Sequence, residues 1–174
     1  TGSISSLAAA QINYLNFNFE DLGTYEFDVT ILEVNGQTDA YALNNMLQSP
    51  TVYTKMVGVY SIGWNQGTFD FYAEFIENLN QRKTCGTVIG ELFDGPNNAG
   101  AGASEFLQLN EDSIILRPKF LDPQGQYRAS VSFYPEITEC SKLFFENLTL
   151  YRNQTFGNTN INFSNDIHFT NCRF

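Results

Sequence analysis

The sequence predicts an all-β fold of about ten short strands, an antiparallel β-sandwich or a barrel, spanning residues 1–174 as a single domain. Three observations predict it. Apolar side chains recur at every second position over several segments. Sixteen Phe and nine Tyr favour pleated, half-buried surfaces over helices. Clusters of Asn, Gly, Pro and Asp punctuate the apolar runs at short intervals, as turn residues do.

The elements follow in order. Residues 1–11 read as an N-terminal arm, with "SISSLAAA" at 3–10 as an alternative short helix capped by Ser3. A strand is expected at 12–19, and Tyr25, Phe27, Val29 and Ile31 alternate with Glu26, Asp28 and Thr30 in the next one. Asn35-Gly36 ends that strand. "AYALNNMLQ" at 40–48 could form one or two helical turns before Pro50. A strand at 52–63 runs into Asn65-Gln66-Gly67, read as a hairpin loop leading to a strand in which Phe69, Phe71, Ala73 and Phe75 alternate with Asp70, Tyr72 and Glu74. Strands at 87–93, 105–109 and 113–120 flank the small-residue stretch "DGPNNAGAGAS" at 94–104, read as a surface loop. Asp122-Pro123-Gln124-Gly125 is a type I turn candidate. Tyr127, Ala129, Val131 and Phe133 alternate in the following strand, and 142–151 and 159–169 complete the set. Residues 153–174 read as a C-terminal strand extension; the "IxF" beat of Ile161, Phe163, Ile167 and Phe169 is too short to establish a repeat, and no internal repeat is evident elsewhere.

The net charge is −10. That balance excludes nucleic acid, which demands basic patches, and gives anionic membrane surfaces nothing to attract. No apolar run reaches the roughly 18 residues of a membrane span. Cys85, Cys140 and Cys172 form no Cys-x-x-Cys pair, so zinc-ribbon and thioredoxin-like readings fall away. A Cys140–Cys172 disulfide would stabilise by about 3–4 kcal/mol in the loop-entropy picture; three reduced, buried thiols are the alternative. Asn147, Asn153 and Asn162 open sequons for N-glycosylation. Their number is about what so Asn-rich a composition gives by chance, so the expectation of a secreted or extracellular protein rests on the Asn-rich, Lys-poor, β-rich character of the whole chain.

Catalytic chemistry finds little footing. The one histidine, His168, lies between Ile167 and Phe169 in an apparent strand, and no Gly-x-Ser-x-Gly nucleophile motif occurs. Strand-borne acids such as Asp28, Asp70, Glu74, Glu91 and Asp94 are explained by polar-face alternation, so the chain is read as a non-enzyme with no required cofactor. Calcium is the one cofactor the residue types allow. Glu91, Asp94 and Asn97, with Asn98, offer oxygen ligands within a short reach, although EF-hand spacing is absent and the turn could simply be acidic. Aromatic rings are the remaining candidates. Trp64, the sole tryptophan, falls in the turn "SIGWNQG", where it either caps the core or stands exposed. An exposed ring can stack on the apolar face of a sugar.

"KLFFENLTLYR" at 142–152 resembles the closing strand of jelly-roll carbohydrate-binding modules, an aromatic run followed by an acid and Asn; "LNFNFED" at 15–21 and "GTYEFDVTI" at 23–31 are similar to their early strands. "GTFDFYAEF" with "GASEFLQLNEDSIIL" resembles the jelly roll of the tumour-necrosis-factor class, with Asn110-Glu111-Asp112 where that class has Gly-Asp. Both resemblances imply that the sandwich is an antiparallel jelly roll; the first also implies binding of carbohydrate or glycoprotein, and Trp64, Tyr72 and Tyr127 are the rings to bear it. The leading expectation is therefore a non-catalytic extracellular glycan-binding or recognition module. The alternative is a structural subunit of an extracellular filament, shell or appendage, a homo-oligomer assembling through its terminal strands.

Overall fold

A computed structural model describes residues 19–30, 33–34, 37–38, 46–93, 95–97, 105–109, 112–121, 129–132, 136–151, 160–162 and 164–174. The chain divides into two compact units, residues 1–54 and 55–174.

The second unit is a parallel β-coil. Its first face is a five-stranded sheet, built from β7 (Met56–Ile62), β8 (Thr84–Leu92), β11 (Ile114–Pro118), β14 (Leu143–Glu146) and β17 (Ile167–Thr170), ordered β17-β14-β11-β8-β7. The second face stacks β9 (Gly95–Asn97), β12 (Ala129–Ser132) and β15 (Thr149–Tyr151), and the third stacks β10 (Glu105–Leu107), β13 (Glu136–Thr138) and β16 (Asn160–Asn162). Every pairing in these three sheets is parallel. From β8 onward the chain visits the first, second and third faces in turn, so each circuit lays one rung on the last. Val88, Ile114, Leu143 and Ile167 sit in register on successive rungs, 26, 29 and 24 residues apart.

This arrangement overturns the antiparallel sandwich. Alternation correctly marks which residues face inward, because a strand buries every second side chain whichever way its neighbour runs. Pairing direction leaves no trace in that pattern. The jelly roll implied by the resemblance is replaced by parallel rungs, and the stretch at 142–151 does not close a sandwich. It bends at Asn147-Leu148 and contributes β14 to one face and β15 to the next. Residues 95–97, expected in a loop, form β9.

The interior is filled by ladders of like side chains. Leu116 lies over Phe145, and Phe145 over Phe169, whose rings stack at 4.9 Å and 11°. Phe106 from the third face meets Phe145 edge-on at 6.0 Å. Ala129, Val131 and Leu150 from the second face, Leu148 at the bend before it and Ile137 from the third are buried with them. Corners are turned by single residues in the left-handed region. Gln108 and Glu139 follow β10 and β13 at φ of 52° and 53°, Lys142 and Asp166 precede β14 and β17, and Asn147 and Asn171 follow them at 53° and 52°. The equivalence of these positions from rung to rung is the repeat that residue identities conceal.

One helix closes the start of the coil. α1 (Tyr72–Arg82) buries Tyr72, Ala73, Phe75, Ile76 and Leu79, the i, i+3, i+4, i+7 stripe of an amphipathic helix. Phe75 enters the interior against Tyr60 and Phe69 at 6.5 and 5.6 Å. Gly90 makes room for it: a Cβ there would stand 2.7 Å from Leu116 and 3.1 Å from Phe75. The helix also covers the free edge of β10. Asn80 Oδ1 accepts from the Leu107 N–H and Lys83 Nζ donates to the Leu107 carbonyl, both at 2.9 Å. These two bonds occupy the edge at Leu107, where another chain could otherwise pair. The strand expected over Phe69–Phe75 is thus a helix from Tyr72, and Asn65-Gln66-Gly67 joins a strand to that helix instead of closing a hairpin.

The first unit consists, in its described residues, of three antiparallel ribbons. β1 (Thr24–Tyr25) pairs with β6 (Val52–Tyr53), β2 (Asp28–Thr30) with β5 (Met46–Gln48), and β3 (Glu33–Val34) with β4 (Gln37–Thr38). The helical turns expected over 40–48 give way to β5 at 46–48; residues 40–45 lie outside the described residues, as do the arm at 1–11, most of the strand at 12–19 and the turn at 122–125. None of residues 19–30, 37 and 46–54 is buried.

Candidate functional site

One corner of the coil collects aromatic rings, Trp64 and Phe120 exposed and Phe93 half-buried. Where β7, β8 and β11 leave the first face, the chain places Trp64, Phe93 and Phe120 just past the strand ends. Phe93 N–H donates to the Ile62 carbonyl at 2.9 Å and Lys119 N–H to the Leu92 carbonyl at 2.7 Å, so the rungs stay in register through the corner. Gly63 lets them close up, since a Cβ there would come within 2.8 Å of the Phe93 ring. Phe93 and Phe120 meet edge-to-face at 6.2 Å, and Lys119 Nζ sits 4.3 Å from the Phe93 centroid. Trp64 is 63% exposed and Phe120 52%.

The loop that presents Trp64 is tightly braced. Gln66 and Gly67 N–H groups both donate to the Gly63 carbonyl, at 3.1 and 3.0 Å. Asn65, left-handed at φ 54°, donates its N–H to Asp70 Oδ1 at 2.9 Å. Asp70 N–H in turn donates to Glu74 Oε2 at 3.0 Å, which ties the loop to the first turn of α1. The indole rests edge-on against Phe71 at 5.0 Å and leaves the rest of its surface to solvent. A ring fixed this way loses little freedom when it stacks on a ligand.

The other residues singled out in the sequence fare differently. Tyr72, offered as a sugar platform, is fully buried in α1, edge-on to Phe106 at 6.4 Å. It has no face to offer, because the segment is helical and turns that position inward. Among the described residues its hydroxyl has no hydrogen-bond partner, and burial drives its pKa far above the ordinary 10.0. Tyr127 lies outside the described residues. Glu91, offered as a calcium ligand, pairs with an arginine: its Oε1 accepts from Arg117 Nη2 at 2.7 Å and Nε at 3.2 Å. Asp94 lies outside the described residues, and Asn97 is described only as backbone in β9. Among the described residues no group of three His, Cys, Asp or Glu side chains could hold a metal.

The Cys140–Cys172 disulfide is likewise corrected, as both thiols are free. Cys140 precedes β14 and Cys172 follows β17. These strands run parallel, so the two cysteines lie at opposite ends, separated by a strand length of about 10 Å; a disulfide tolerates Cα separations of only about 7 Å. Cys140 Sγ donates to the Thr138 carbonyl at 3.3 Å and Cys172 Sγ to the Phe145 carbonyl at 3.2 Å, and burial pushes both thiols above the ordinary value. Of the sequon residues, Asn147 occupies a half-buried corner, Asn162 is exposed on β16, and Asn153 lies outside the described residues. His168 stacks on Phe144 at 5.0 Å and pairs its Nε2 with Asp166 Oδ1 at 3.1 Å, an exposed surface arrangement.

Reasoning from sequence missed Phe93, Phe120 and Lys119. The signal was available: each aromatic ends an apolar run and stands at a turn, as Trp64 does. Among the described residues no helix is long and apolar enough to cross a membrane. Comparison with known families, with curated proteins and with solved structures returns no match.

Proposed function

We propose that the coil is a non-catalytic glycan-binding module whose contact surface is the corner bearing Trp64, Phe93 and Phe120. The observation that carries the reading is the 63% exposure of a braced Trp64 at that corner. Aromatic faces take up the C–H faces of sugar rings, and neighbouring rungs are about 4.8 Å apart. A linear glycan lying along the coil axis can therefore meet successive rings. Glycan-array screening tests the proposal. Trp64→Ala should weaken every positive glycan about tenfold or more, equivalent to about 1.4 kcal/mol, with the thermal midpoint unchanged. An array blank for wild-type protein defeats it.

The first unit favours a second reading, a self-assembling structural subunit. Val29 and Leu47 face each other across the β2–β5 ribbon at 56% and 70% exposure, and neighbouring Met46 is 67% exposed. Two-stranded ribbons are marginal alone in water, and contiguous exposed apolar surface marks interaction sites. Sedimentation velocity over a concentration series should show association in wild type and its loss in Leu47→Asp. A monomer at every concentration refutes this reading and leaves the first intact.

A further inference from the structure

We infer that the glycan taken by this corner is anionic, a polymer carrying carboxylate or sulfate groups, and that Lys119 is the residue that meets the charge. The inference rests on the glycan-binding reading and specifies its ligand class. Lys119 is placed with unusual care for a chain of net charge −10. It follows β11 at the point where the rung turns, with its ammonium 4.3 Å from the Phe93 centroid and Phe120 next in the chain. Ring and cation thus occupy one patch, and a sugar stacked on the exposed Phe120 brings its substituents toward the ammonium that covers Phe93. Among the described residues no acid pairs with this ammonium.

The nearest acid on the adjoining strand is already neutralised. Glu91 is held by Arg117, two residues before Lys119, and that guanidinium remains 40% exposed, with donors left over after the two it gives to Glu91. Asp70 and Glu74, the acids of the Trp64 loop, have their carboxylates engaged by backbone N–H groups, which leaves the Lys119 ammonium beside Phe93 and Phe120 as the corner's cation with no acid partner among the described residues. Repulsion from the rest of the surface is screened beyond about 8 Å at physiological ionic strength, whereas a charge-assisted hydrogen bond to Nζ acts in contact. A neutral glycan would leave this cation unused. A nucleic acid would need a basic surface far broader than one lysine and one arginine.

Titration calorimetry with matched polymers separates the possibilities: polygalacturonate against its fully methyl-esterified form, and dextran sulfate against dextran. The wild-type protein should bind at least one anionic polymer about tenfold more tightly than its neutral partner, and the pair that responds identifies carboxylate or sulfate. Lys119→Gln should abolish that preference, Lys119→Arg should retain it, and Trp64→Ala should weaken binding throughout. Binding of neutral and anionic forms alike, with Lys119→Gln equal to wild type, overturns the anionic assignment and spares the glycan-binding reading. Asp94 and Asp122, next in the chain beyond the described residues, are tested by the same comparison, since dominant acids would reverse the preference. Failure of all four polymers, together with a blank glycan array, overturns both.

Discussion

Tyr72 shows how a single side chain can be misread and still be informative. Alternation with Phe69, Phe71 and Phe75 casts it as an outward strand residue, yet the helix turns it wholly inward and strands its hydroxyl without a partner among the described residues. An unsatisfied buried hydroxyl costs about 1–3 kcal/mol. Tyr72→Phe should therefore stabilise the protein by roughly 1 kcal/mol or more in urea titration; destabilisation would mean that the hydroxyl is satisfied. The corner residues give a second test. Glu139 and Lys142 hold left-handed backbone at φ 53° and 56° without a residue suited to it. Left-handed conformation costs an L-residue about 1–2 kcal/mol relative to glycine, partly offset by the extra entropy glycine brings to the unfolded chain. Lys142→Gly should leave stability unchanged or raise it, where the same change in mid-strand, as at Ile115, would lower it. Trp64 was legible as a turn residue from the sequence. Its exposure was not, because whether a turn covers the core or overhangs it depends on the path of the next element.

At the scale of elements, strand positions were largely legible and their partners were not. The segments at 105–109 and 113–120 contain β10 and β11, and 87–93 covers the second half of β8, which begins earlier at Thr84, because a half-buried strand writes its period into the sequence. The antiparallel reading failed because successive first-face strands, whose equivalent positions lie 24–29 residues apart, have two further strands between them, which look like strands of a meander when only local order is visible. α1 was missed because residues 69–75 satisfy period two; Ile76 and Leu79 reveal the helical period only when the window is extended. The helix earns its place by closing the core and covering the β10 edge. Phe75→Ala should cost about 3–5 kcal/mol. Asn80→Ala should cost about 1 kcal/mol and speed hydrogen exchange at the Leu107 amide, which its side chain holds. An unchanged Leu107 exchange rate would detach the helix from that edge.

For the whole molecule, the rungs were hidden because equivalent positions carry different residues. Val88, Ile114, Leu143 and Ile167 share a site in the coil, and the "IxF" of Ile167 and Phe169 repeats the Leu143 and Phe145 beat one rung earlier. The spacing varies with the corners, so no fixed period exposes it. Burial of ionisable groups has a consequence at this scale. Tyr72, Cys140 and Cys172 all have folded-state pKa values raised by desolvation, above ordinary values of 10.0 for the phenol and 9.0 for the thiols. The folded state holds these protons more tightly, so the stability linked to them is fully present below pH 9.0 and is lost as pH rises through the raised values. Urea midpoints should fall between about pH 8 and about pH 10.5, less steeply in Tyr72→Phe; a flat profile would contradict the burial of these groups.

The central functional claim is that the coil holds Trp64 out to solvent as a platform for a glycan. Because Trp64 is the only tryptophan, intrinsic fluorescence reports on it alone. Titrating the protein with polygalacturonate and dextran sulfate should begin from a red-shifted emission, readily quenched by acrylamide, and end in a saturable blue shift with protection from the quencher. Emission that is already blue-shifted and shielded in the free protein, and unmoved by either polymer, would contradict the account.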